Sequence, residues 1–156
     1  ARRLIEELPE PARTTLIELG ERGEYGAPEY LDAVAEFYRR HLCRLDPWPD
    51  CVVRTAEELD GNQVYLTMNG PTEFDVIGTL RTWDRTPDLG RIGVPTLATC
   101  GRHDEITPAC SETIRDGIPD ARMVVFEHSA HCAHLEEPEL YASVVESFLR
   151  EVEATV

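Results

Sequence analysis

Val94-Pro95-Thr96-Leu97-Ala98-Thr99-Cys100-Gly101 is a short apolar run closed by a glycine, and it reads as a buried β-strand. A second β-rich run follows at Arg122-Met123-Val124-Val125-Phe126-Glu127. Between the two, residues 108–117 read as a helix: Thr107 stands at the capping position, Pro108 suits the first turn and Gly117 stops it. Residues 138–152 form a second helical pattern, with Leu140, Tyr141, Val144, Val145, Phe148 and Leu149 along the expected buried side. The order strand, helix, strand, helix predicts parallel strands joined by crossover helices, an α/β architecture. Parallel sheets are covered on both faces, which two strands alone do not provide. These are expected to be the last two strands of a larger sheet.

Working back toward the N-terminus, the character changes near residue 90. Residues 1–90 read as helices and loops, and residues 91–156 as the α/β portion. The clearest early helix is predicted over residues 28–45, with Leu31, Val34, Ala35, Tyr38, Leu42 and Leu45 as its apolar stripe. Pro47-Trp48-Pro49 ends it, because proline lacks the N–H a helix needs. A helix interrupted near Pro9 and Pro11 is expected over residues 4–21, and Gly23 and Gly26 mark a loop. Residues 62–68 are expected to be extended. Asn69-Gly70-Pro71 signals a turn, with a helix starting within residues 72–82.

Composition narrows the partners. The chain has 156 residues, 42% of them hydrophobic, enough for a folded core. Its formal net charge is −15, and every basic residue is arginine. Such an acidic excess disfavours nucleic acid and anionic membrane, both polyanions. No stretch approaches the roughly 20 apolar residues of a membrane span. The start, Ala1-Arg2-Arg3-Leu4-Ile5-Glu6-Glu7, turns acidic at once, unlike a secretory signal, and its lack of an initiator Met points to an internal start. Cys43, Cys51, Cys100, Cys110 and Cys132 form no C-x-x-C pair, so free thiols in a reducing, cytoplasmic compartment are expected.

Chemistry is expected beyond the carboxyl ends of the strands. Gly101-Arg102-His103-Asp104-Glu105-Ile106-Thr107-Pro108 follows the first strand, and His128-Ser129-Ala130-His131-Cys132-Ala133-His134 follows the second. One loop offers a carboxylate and the next an imidazole, the pair that a general base and its orienting acid require. The first loop is similar to the G-x-x-D-x-x-x-P acid loop of α/β-hydrolases. The second, continuing through Leu135-Glu136-Glu137-Pro138, resembles their S-x-H…E-x-P segment. The resemblance assigns Asp104 as catalytic acid and His131 as base, 27 residues apart.

Phe37-Tyr38-Arg39-Arg40-His41, Arg44-Leu45-Asp46-Pro47-Trp48-Pro49 and Met68-Asn69-Gly70-Pro71-Thr72-Glu73-Phe74 resemble the proline iminopeptidase group of serine peptidases. There a helical cap precedes the C-terminal part of the α/β-hydrolase core. The resemblance implies release of an N-terminal residue, preferably proline, through an acyl-enzyme. It also implies that Glu73 and Glu105 bind the free amino terminus of a peptide or amino-acid amide substrate. A buried ammonium needs such carboxylate partners. No cofactor is implied.

One part of the family pattern is absent. The nucleophile motif G-x-S-x-G does not occur in these residues, nor does the Gly-rich oxyanion loop. Ser111 and Ser129 come nearest, and neither sits in an elbow. The chain is therefore expected to be roughly the second half of an enzyme, inactive alone and partnered by a missing N-terminal half. Three other readings remain open on sequence: an amino-acid amidase, another α/β-hydrolase, and a non-catalytic fragment or pseudoenzyme that serves as a binding module. His128, His131, His134 and Cys132 also invite a metal reading. Loop spacing does not converge three imidazoles on one point, so no metal is expected.

Overall fold

The structure, a computed structural model, describes residues 2–73 and 76–154. The chain divides into two compact units. One comprises Ala1–Arg40 and Arg44–Trp83, and the other His41–Cys43 and Asp84–Val156.

The first unit is helical: α1 (Arg2–Glu6), α2 (Ala12–Arg22), α3 (Pro28–His41), α4 (Asp50–Leu59), α5 (Gln63–Met68) and a 3-10 turn at Thr79–Thr82. Its core gathers Leu4, Ile5, Leu8, Leu16, Tyr30, Ala33, Val34 and Phe37. The last four lie at i, i+3, i+4 and i+7 of α3, one helical face. That face is turned from the predicted stripe, since Leu31 is 55% exposed. The two aromatics decide it. Tyr30 and Phe37 are almost fully buried, and rings of that size dominate core energetics. Tyr30 also meets Tyr25 edge-on at 5.5 Å. Between α2 and α3, Gly23 takes φ 71°, a left-handed cap that returns its N–H to Gly20.

Three predicted elements differ. Helix α3 stops at His41, four residues short of the predicted end. Continuation would aim the N–H groups of residues 45 and 46 at the carbonyls of His41 and Leu42. Those carbonyls are taken instead by Glu105, His131 and Cys132 N–H groups. Residues 63–68 are helical rather than extended, because the Asn62 carboxamide accepts the Val64 and Tyr65 N–H groups and starts the turn. Helix α4 was not foreseen. Within residues 72–82 the only described helix is the 3-10 turn, while Phe74 and Asp75 lie outside the described residues.

The second unit holds a 3-10 turn at Thr86–Arg91, β1 (Thr96–Gly101), α6 (Pro108–Gly117), β2 (Ala121–Phe126), α7 (Ala133–Glu136) and α8 (Pro138–Glu153). Strands β1 and β2 pair in parallel from Thr96↔Ala121 to Gly101↔Phe126. Helix α6 crosses between them and packs on both. The Thr107 hydroxyl does not cap α6; it lies 3.7 Å from Cys110 Sγ. Helix α8 is held to β2 by Tyr141, tilted over the buried Phe126 ring at 5.3 Å. Arg122 adds to this, reaching both the Phe148 ring and Glu151. Along the rest of the predicted stripe Val144 and Val145 are half-buried, while Leu140 is 51% and Leu149 50% exposed. A two-stranded sheet offers α8 only the strip beside β2. None of the described helices is long and apolar enough to cross a membrane.

Candidate active site at the carboxyl ends of the strands

Both strands end beside each other, so their loops leave from one edge of the sheet. Gly101 closes β1 against the β2 loop. A Cβ there would fall 2.1 Å from the Ala130 carbonyl oxygen and 2.3 Å from that of Ser129, so only glycine lets the loops approach this closely. The Arg102 N–H donates to the Phe126 carbonyl at 2.8 Å, and the His103 N–H to that of Ser129 at 3.0 Å. Outside these, the Arg102 guanidinium grips Glu127 with two bonds, at 2.8 and 2.6 Å, and holds that carboxyl below its ordinary value.

The loops bring Asp104 and His131 together. Asp104 is 5% exposed, and its Oδ1 accepts the Ile106 N–H at 2.8 Å. The same oxygen lies 3.0 Å from His131 Nδ1. A carboxylate only accepts, so Nδ1 carries the proton and, in the neutral ring, Nε2 keeps its lone pair. The His131 side chain is 42% exposed while its partner's is 6% exposed. A fixed acid behind a half-open imidazole is a geometry able to move protons at Nε2.

Two features holding these loops were invisible in the sequence. The first is a carboxylate pair after the histidine. Glu137 accepts the His128 N–H at 3.1 Å and the Ser129 hydroxyl at 2.5 Å, and Glu136 accepts the Ala130 N–H at 2.8 Å. The second is the segment His41–Cys43, whose carbonyls and imidazole bond to both loops. The E-x-P resemblance touched Glu136 without saying what it holds. Nothing in the helical pattern around His41 pointed to the site.

The other candidates are placed as follows. Glu105 is 7% exposed and follows Asp104 directly. Glu73 belongs to the first unit, where its Oε1 accepts the Tyr65 hydroxyl at 3.2 Å and its N–H donates to the Tyr38 hydroxyl at 3.4 Å. Ser129 is fully buried with its hydroxyl committed to Glu137, and Ser111 is buried on α6. The Cys132 thiol, next to His131 in sequence, is pushed up to about 12, chiefly by burial and then by the neighbouring Cys43 thiol. It stays protonated near neutral pH and is no thiolate nucleophile. His134 meets the edge of Tyr141 at 6.0 Å. Among the described residues, no three His, Cys, Asp or Glu side chains group as a metal site.

The chain is 44% identical, over 97% of its length, to a proline iminopeptidase of Saccharolobus solfataricus. It is 42% identical, over 94%, to one of Thermoplasma volcanium. It spans about half the length of these curated relatives, 49% and 50% respectively. Among solved structures, VinJ superposes with a TM-score of 0.92 at 43% identity, covering 96% of this chain and 51% of its own. The proline iminopeptidase of Mycobacterium smegmatis gives 0.88 at 40%, covering 98% and 52%. MenH from S. aureus, at 20% identity and 0.53, shares the fold alone. No protein-family model matches the chain.

Proposed function

We infer the function of this chain from its kinship: it is a homologue of the proline iminopeptidases and has the fold of the C-terminal portion of an α/β-hydrolase. Its role is that of a hydrolase acting on peptides, and in that role it supplies the acid and the base. The observation that carries this reading is the 3.0 Å contact between His131 Nδ1 and the buried Asp104 carboxylate.

The serine comes from outside these 156 residues, since no G-x-S-x-G elbow occurs among them. As the serine oxygen bonds to the carbonyl carbon of the substrate's first residue, His131 Nε2 takes the hydroxyl proton. Asp104 keeps Nδ1 protonated and stabilises the imidazolium. His131 then gives that proton to the departing amine, and the C–N bond breaks. In the second half, His131 draws a proton from water, whose oxygen bonds to the acyl carbon. The ester C–O bond breaks as His131 returns that proton to the serine oxygen, which frees the N-terminal residue. Glu73 and Glu105 bind the substrate's ammonium group, which fixes the cut after one residue. A carboxylate as buried as Glu105 suits a cationic ligand, because a desolvated ion gains most from a paired one. Proline is the preferred residue by kinship.

The test is reconstitution. The chain alone should show no turnover of proline p-nitroanilide. Mixed or fused with the nucleophile-bearing half of a relative, it should turn over. In that assembly His131→Ala should abolish activity, and Asp104→Asn should lower kcat by about 10⁴-fold, the scale set by losing the correct tautomer. Glu73→Gln should raise KM for amine-bearing substrates and spare N-acylated ones. Activity indifferent to His131→Ala would end the reading.

A further inference from the structure

We propose that His41–Cys43 is a positioning element for the Asp104–His131 pair, and that the His41 imidazole is the group on which it depends. The proposal rests on the acid–base reading above and adds to it the part that aligns the two loops.

The bonds run to both loops from two consecutive residues, His41 and Leu42. The His41 carbonyl accepts two N–H groups, Glu105 at 3.1 Å and His131 at 3.3 Å, one for each lone pair. The Leu42 carbonyl accepts the Cys132 N–H at 3.0 Å. The His41 ring adds a fourth bond: its Nδ1 lies 2.8 Å from the His103 carbonyl oxygen. A carbonyl only accepts, so this nitrogen is the donor.

Asp104 is thereby bracketed. The residue before it is held by the His41 ring and the residue after it by the His41 carbonyl. His131 is held through its own N–H, on that same carbonyl. Acid and base are thus referred to one peptide group. Moving that group displaces both loops, and losing the ring donor loosens only the acid side, at the residue before Asp104. The carboxylate then no longer faces His131 Nδ1 at hydrogen-bond distance. His41 is a positioning residue: it acts through the pair.

Imidazole nitrogen NMR on the 156-residue chain with labelled histidine provides the test, because nitrogen shifts report which ring atom bears the proton. Wild type should show neutral His131 as the Nδ1–H form. His41→Phe keeps a ring and removes the donor. It should raise the Nε2–H population of His131 several-fold while the β1 and β2 amide signals stay in place. His41→Asn, whose amide nitrogen stands near the position of Nδ1, should restore the wild-type form. A Phe variant that unfolds beside a folded Asn variant with the wild-type form also supports the donor requirement. A Phe variant whose His131 matches wild type overturns the positioning role and leaves the acid–base reading standing. An Asn variant that unfolds, or folds and behaves like Phe, overturns it as well. Wild type without Nδ1–H at His131 overturns both.

Discussion

Cys132 follows His131 and could make a cysteine–histidine couple on paper, yet its surroundings keep the sulfur neutral. Burial, then the Cys43 thiol beside it, push it from an ordinary 9.0 to about 12. The consequence for stability has a definite sign. Between those values the unfolded chain loses the thiol proton and the folded chain keeps it, so stability falls as pH rises. Cys100, raised chiefly by its own burial, acts in the same direction. The urea midpoint should therefore decline from about pH 9 upward, and Cys132→Ala should make that decline shallower. Parallel declines in the two proteins would show that the thiol is not protected.

At the scale of elements, the site loop after β2 depends on acceptors supplied from the turn into α8. Glu137 serves both a fully buried hydroxyl, that of Ser129, and the His128 N–H. Glu137→Ala leaves the Ser129 hydroxyl without its acceptor and should cost about 1–3 kcal/mol in chemical denaturation. Glu137→Gln, which keeps an accepting oxygen, should cost less. An alanine variant as stable as wild type would mean that the loop finds other acceptors. Such long-range carboxylate-to-amide bonds leave no period in a sequence, so neither they nor the His41 links were legible. The pairing of Asp104 with His131 was legible, because two turn-bounded loops each followed a strand and parallel strands put their loops on one edge. The strands and α6 were readable for a related reason: proline and glycine punctuate their ends. Asn62 shows the opposite case. Its neighbours Val64, Tyr65 and Thr67 favour strand, and one capping carboxamide outweighed them. Helix α4 escaped notice because the two prolines before it read as an end rather than as the lead-in to a first turn.

For the whole molecule, two opposing terms govern behaviour in solution. A formal charge of −15 repels copies from one another. Against it stand exposed apolar side chains, among them Val94 at 63%, Leu140 at 51% and Leu149 at 50%, and a sheet whose two strands are both edges. Salt shortens the reach of the repulsion to about 10 Å at 0.1 M and leaves the apolar term in place. Sedimentation equilibrium should show self-association that grows with salt, and association unaffected by or falling with salt would contradict this balance. The apolar stripe of α8 is covered in part: Tyr141, Val144, Val145 and Phe148 are half-buried, while Leu140 and Leu149 stay exposed. Periodicity reports which side is apolar, whereas burial needs a covering surface, and a two-stranded sheet offers α8 little beyond the strip beside β2.

The chain departs from its first unit after Arg40, contributes three residues to the second, and resumes at Arg44. A recombination breakpoint set between Trp83 and Asp84 would therefore not transplant the site intact. In a chimaera, Asp104 and His131 would be inherited from one parent, and the His41 carbonyl that accepts the Glu105 and His131 N–H groups from the other. Natural shuffling at that boundary would be filtered by compatibility at residues 41–43, far in sequence from the chemistry being exchanged.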